Sequence, residues 1–252
     1  MDRIMIKTEE EIKTQKESGL ILGYVLGLLK KHAKVGVNTK YLDELAEDEI
    51  RQKGGFPIFK GYQGFPTAIC TSINSEVVHG PARPARTLRN GDLLSIDAGV
   101  RYPSKNGMIT DAAFTVGLGE ISPEAKRLME VTENSLNQAI SKVKSGIRLG
   151  VISATVESVV KEDNFGIVRE MVGHGVGRKL HEEPQIPNYG LETDGPILQA
   201  GMVLAIEPMV SMGDWRLKVG KNGAYQTRDN SLSAHFEHSV LVTEDGHFIL
   251  TK

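Results

Sequence analysis

Two short strings, "SIDAG" (95–99) and "AIEPM" (205–209), place a carboxylate straight after apolar residues in segments patterned as strands. Burial is expected there, and a buried charge must be satisfied. Each of these acids has a second within reach. The strands carrying Asp97 and Asp111 are joined by "RYPSKNG", a turn-rich loop containing Asn106-Gly107. Their midpoint, residue 104, lies inside that loop, so a simple hairpin sets the two aspartates nearly opposite. Glu207 and Glu237 repeat the arrangement about residue 222, within a second "KNG" at 221–223. Like charges opposite one another destabilise a strand pair. A lone strand Asp is usually exposed or salt-bridged, but four such acids together without cations would force protonation or unfolding. The pattern therefore calls for divalent metal. Oxygen ligands with an imidazole or two suit Mn, Co, Fe(II) or Zn better than a Cys-rich structural zinc site.

The imidazoles come from "MVGHGVGRKLHEEP" (171–184). His174 and His181 are seven apart on a segment too glycine-rich for a good helix, unlike the i, i+4 pair of helical metalloproteases. If both rings act, the backbone between them bends, and glycine permits both the bend and a close approach by another backbone or a ligand.

Thr8 and Glu11 form a capping box ahead of a helix in "KTEEEIKTQKESGLILGYVLGLLKKH". A second helix follows in 35–54, with Leu42, Leu45, Ala46 and Ile50 near helical spacing. Strands are expected at "AICTSI", "GDLLSIDAGV" and "MITDAAFTVG", helices in 122–164, and strands again at 166–172 and 201–210. Residues 87–100 align with 197–210 at an offset of 110, matching Gly91 with Gly201, Ile96 with Ile206 and Asp97 with Glu207. Gly36 and Gly146 obey the same offset. We read residues 1–252 as a single catalytic domain of two pseudo-repeats, about 17–120 and 121–252.

The net charge of −2 argues against a nucleic-acid partner. One cysteine, Cys70, excludes an internal disulfide and fits a reducing compartment. The N-terminus lacks the order of a secretory signal, and the longest apolar run, 19–29, is too short to span a membrane. A soluble cytoplasmic protein is expected.

Taken with "SINSEVVHG" (72–80), "ITDAAFTVG" (109–117), "GMVLAIEPM" (201–209) and "SLSAHFEHSVLVT" (231–243), in this order, the chain resembles the short bacterial type I methionine aminopeptidases. The resemblance implies an α+β, pita-bread fold: a pseudo-twofold repeat of helices on a curved, mainly antiparallel sheet. It implies two divalent ions held by Asp97, Asp111, His174, Glu207 and Glu237, with Asp111 and Glu237 bridging. His79, His181 and Glu207 would be catalytic, with both histidines also contacting substrate. Hydroxide generated between the metals would attack the first peptide bond. Glu207 would move the proton and His181 would stabilise the oxyanion. Tyr62, Phe65, Cys70 and Leu180 would line the methionine pocket, although ordinary core packing is their bland alternative. Substrates would be N-terminal Met-Xaa peptides or nascent chains with a small second residue. The enzyme is expected to be a monomer, with ribosome association left open.

Two departures stand out. The family commonly has Gln where this chain has His235, two residues before Glu237, so this imidazole could bond a ligand or bind metal. The loop before Glu237 lacks the Trp found in many bacterial members; the only Trp is Trp215. Proline-specific peptidases of the same fold and a metal-free pita-bread binding protein are the rivals. The former usually carry an extra N-terminal domain, and the latter lose ligands.

Overall fold

The computed structural model describes residues 4–252. Helices α1 (Glu9–His32), α2 (Thr39–Gln52), α3 (Pro123–Lys142) and α4 (Gly150–Glu162) pack on strands whose pairings among the described residues are all antiparallel. The α1 capping box forms as read, Thr8 and Glu11 each accepting the other's backbone N–H. Leu22, Val25, Leu26 and Leu29 make its buried stripe. Each fully buried leucine contributes about 2 kcal/mol of burial. Asn38 caps α2, which buries Leu42, Ala46 and Ile50; Leu45 is only partly buried against the same core. Ser122 caps α3, with Pro123 in its first turn.

Several hydrogen bonds recur at the offset of 110. Gly36 donates to the Leu88 carbonyl and Gly146 to that of Leu198, both at 2.9 Å. Both glycines have φ +88°, which a side chain would disfavour. Asn38 bridges Thr87 as Arg148 bridges Ile197.

The first hairpin pairs Leu93–Tyr102 with Met108–Gly117. Its register corrects the facing-aspartate expectation. Asp97 lies opposite Ala113, and Asp111 opposite Gly99. The five-residue loop 103–107 closes on Tyr102↔Met108, so the hairpin is centred on residue 105, not 104. The acids are diagonal neighbours on one face, close enough for long side chains to meet.

The second hairpin is symmetric about Asn222 throughout. Val203↔Leu241, Ile206↔His238, Met209↔His235, Ser211↔Ser233 and Val219↔Tyr225 all obey that centre. Glu207 and Glu237 therefore fall opposite one another, between the paired stretches. The expected continuous strand over 201–210 breaks there into Val203–Ile206 and Met209–Ser211, because Pro208 has no N–H for the ladder. Glu237 turns instead to the first hairpin. Its N–H donates to the Ala113 carbonyl at 2.9 Å, and Ala113 N–H donates back at 3.3 Å. This stitch joins the hairpins beside Asp97. The strand expected at 166–172 is limited to Gly166–Ile167.

Candidate metal centre

Asp97, Asp111, His174, Glu207 and Glu237 all line one cavity of about 460 Å³. One donor atom each from Asp111, His174 and Glu237 lie within 4.8 Å of one another, all three residues buried. Two carboxylates at that separation repel by about 3–4 kcal/mol at an effective dielectric of 20.

His174 sits in the short strand Gly173–Gly175, between Val203–Ile206 and Glu182–Ile186. A Cβ on Gly173 would run into the Ala205 carbonyl, and one on Gly175 into the Glu183 carbonyl. These glycines thus serve close strand approach; the positive φ belongs to Gly177, at +155°. His174 Nδ1 donates to the Gly175 carbonyl at 2.9 Å, which leaves Nε2 as a lone pair. That lone pair faces Glu207 Oε1 at 3.4 Å. Two acceptors so placed need a proton or a cation between them.

Asp97 Oδ1, Asp111 Oδ1 and Glu237 Oε1 are buried with no hydrogen-bond partner. Burial is the main cause raising the pKa of all four acids, Asp97 to about 7, and their mutual repulsion adds to it in Asp111, Glu207 and Glu237. Burial holds His174 down to about 3, keeping it neutral. Neutral imidazole and orphaned carboxylate oxygens fit a divalent cation. Cys70, opposite Asp97 in the sheet, does not extend the donor set, since burial and the two aspartates push its thiol up and hold it protonated.

His79 and His181 line the same cavity, as do Tyr62, Phe65, Cys70 and Leu180. His79 is held at φ +59° and packs edge-on against Tyr225, with ring centroids 5.5 Å apart. Its neighbour Gly80 is obligatory: a Cβ there would lie 2.9 Å from the Thr71 carbonyl. His181 meets His174 edge-on at 4.5 Å, and its Nδ1 lies 3.0 Å from the Tyr62 hydroxyl. Burial lowers the pKa of both His79 and His181.

The sequence model of metallopeptidase family M24 matches residues 13–244. The chain belongs to metallopeptidase family M24. Within M24 it is similar over its whole length to the methionine aminopeptidase of Clostridium acetobutylicum, 46% identical with 98% of each chain covered. Methionine aminopeptidase 1 of Bacillus subtilis is likewise 46% identical, with 99% of each covered. The crystal structure of methionine aminopeptidase from Thermotoga maritima superposes with a TM-score of 0.96 at 43% identity, covering 99% of this chain and 100% of that one. The fold alone extends to the prolidase of Pyrococcus furiosus, with a TM-score of 0.78 at 23% identity and 65% of that chain covered. The M24 fold is the pita-bread fold expected from the sequence.

Other residues of this M24 cavity escape sequence reasoning. Phe59, Val78, Met171 and Met209 complete its apolar wall, and the hairpin tip at Asn222 and Gly223 forms its rim. Asn222 is tied down by a 2.8 Å bond to Glu76. The KNG repeat marked the tip, but nothing local says that it folds back over the site. Trp215 lies outside the lining, stacked by Arg169 with the guanidinium 5.2 Å from its ring. His235 is buried with both ring nitrogens unpartnered, its Nε2 3.7 Å from Glu207 Oε2.

Proposed function

We infer that this chain is a methionine aminopeptidase that holds two divalent ions, Mn, Co, Fe(II) or Zn, among Asp97, Asp111, His174, Glu207 and Glu237. The observation that carries the reading is the set of orphaned buried carboxylate oxygens beside a neutral His174, at the floor of an apolar cavity. Asp111 and Glu237 would be shared by the ions, with Asp97 on one side and His174 with Glu207 on the other. When bound, the ions acidify a water and polarise a carbonyl.

The remaining work falls to side chains. The substrate's free α-amino group, in its neutral form, would bind at the metal centre, which restricts cleavage to chain termini. Glu207 takes the proton of the attacking water and returns it to the leaving amine. With the Tyr62 hydroxyl 3.0 Å from His181 Nδ1, the tautomer that accepts from it at Nδ1 would carry hydrogen on Nε2, where it would stabilise the developing oxyanion. His79 contacts the substrate backbone, and His235 Nε2 faces the far oxygen of Glu207 from 3.7 Å. Tyr62, Phe65, Cys70 and Leu180 join one apolar cluster with Phe59, an unbranched pocket for methionine. Such a pocket discriminates a methylene by only about 1–3 kcal/mol, so a small second residue is also required. All five donors come from one chain, consistent with a monomeric unit working on N-terminal Met-Xaa peptides and nascent chains in the cytoplasm. Among the described residues no helix is long and apolar enough to cross a membrane. The two pseudo-repeats act as one catalytic domain.

The test is hydrolysis of Met-Ala-Ser by metal-stripped protein with Mn, Co, Fe(II) and Zn restored in turn, beside Xaa-Pro and Leu-initiated peptides. Metal-dependent release of Met alone is expected. Cleavage of Xaa-Pro instead, or no metal binding, overturns the reading.

A further inference from the structure

Among the described residues, the pair Lys7 and Glu182 is almost wholly buried, with Glu182 paired to Gly175 beside His174. Lys7 Nζ lies 2.5 Å from Glu182 Oε2, with the two side chains 1% and 2% exposed. A buried pair seldom stabilises a fold better than apolar residues of similar volume, so its retention asks for another reason. Its connections supply one. Glu182 Oε1 accepts the N–H groups of Arg178 and Lys179, at 2.6 and 2.9 Å. This closes the loop whose last residue is His181. The Lys7 stem occupies the space beside Gly177, where a Cβ would meet Lys7 Cε at 2.5 Å. Lys7 N–H donates to the Gly201 carbonyl at 2.9 Å, just ahead of the strand leading to Glu207. One residue thus ties the His181 loop to the strand that carries Glu207. Arg178 reinforces the tie through Glu11.

We propose that Lys7 and Glu182 form a buried clasp that positions the His181 imidazole over the metal centre, making Lys7 a positioning residue for the reaction. This rests on the role given to His181 above. A loop closed only by its own backbone would let the ring swing away from the carbonyl it serves, and small misplacements are costly in kcat.

The experiment compares wild type with Lys7→Arg, which keeps the pair, and Lys7→Met/Glu182→Gln, which neutralises it while keeping an acceptor for both N–H groups. Each is made in wild-type and His181→Ala backgrounds. With Met-Ala-Ser and Mn, the double variant is expected to lose at least tenfold in kcat, with KM and the calorimetric Mn affinity within twofold. Lys7→Arg should stay within threefold of wild type. On His181→Ala the double variant should cause no further loss. A second readout needs no turnover: the His181 ring 15N resonances should show one tautomer in wild type and exchange between states in the double variant. Unchanged kcat with unchanged resonances, or the same fold-loss with and without His181, overturns the clasp. Normal turnover by His181→Ala overturns the role of His181, and the clasp's purpose with it. Altered resonances in a protein that fails to release Met would uphold the clasp and sink the aminopeptidase reading instead.

Discussion

Replacing Asp97 by Asn should stabilise the metal-free protein. Burial holds the Asp97 carboxyl at a pKa of about 7 against an ordinary value of 3.8. The sign follows from proton binding. Above pH 4 the unfolded chain ionises this group freely, whereas the folded chain resists until about pH 7, so the group's cost to folding grows across that window. A difference of about 3 in pKa corresponds to roughly 4 kcal/mol, fully developed above pH 7. The amide of the Asp97→Asn variant cannot ionise and escapes that cost. For a chain of this size each kcal/mol moves Tm by about 2–4 °C, so the variant should melt roughly 10 °C higher at pH 7.5 in chelator. The buried histidines, whose neutral forms are favoured, contribute the opposite slope, but equally in both proteins. The difference between the two melting curves therefore reports Asp97 together with the relief of its repulsion on Asp111, Glu207 and Glu237, which acts in the same direction. It should vanish as pH falls to 4. Saturating Mn should also close the gap at pH 7.5, because a thousandfold loss of affinity offsets about 4.1 kcal/mol at high ligand excess. Calorimetry at pH 4, 5.5 and 7.5, with chelator and with Mn, decides the matter. A metal-free variant that melts lower than wild type at pH 7.5 would refute the reasoning.

Three further outcomes are expected. Gly175→Ala should cost about 3 kcal/mol or more by urea titration and weaken metal binding, because its Cβ would run into the Glu183 carbonyl and force the His174 strand away from its neighbour. His235→Leu should raise the metal-free Tm by removing two unpartnered buried nitrogens, worth about 1–3 kcal/mol; a fall in Tm by calorimetry would refute this. Tyr62→Phe should lower kcat about tenfold at unchanged metal affinity, since the hydroxyl no longer fixes which His181 nitrogen carries hydrogen. An effect on KM alone would reduce Tyr62 to a pocket wall.

What the sequence disclosed follows from how local each signal is. An acid after apolar strand residues is anomalous on its face, and all four carboxylates line one cavity as their pattern required. The second hairpin could be centred on Asn222 because its long arms keep one register across several paired stretches. The first could not be centred to the residue, since its first strand runs two residues into the turn-like string 101–107, to Tyr102, and nothing in the composition marks that end. The clasp between Lys7 and Glu182 left no trace, for its partners are 175 positions apart and each is an ordinary charged residue in its own segment.

The same distinction explains why a near-repeat yields an unequal centre. Asp97 and Glu207 share the offset of 110, but the position 110 before His174 is Gly64, which lines the cavity and carries no donor. Asp97 meets its partner acid diagonally, whereas Glu207 meets Glu237 across the strand pair. In the ligand assignment proposed above, one side of the centre would be carboxylate alone, and the other would mix carboxylate with imidazole. Two cations held in that assignment would differ in charge environment and affinity, so stepwise rather than simultaneous loading is expected. Calorimetric titration with Mn should resolve two binding events in wild type, with His174→Ala removing one and leaving the other.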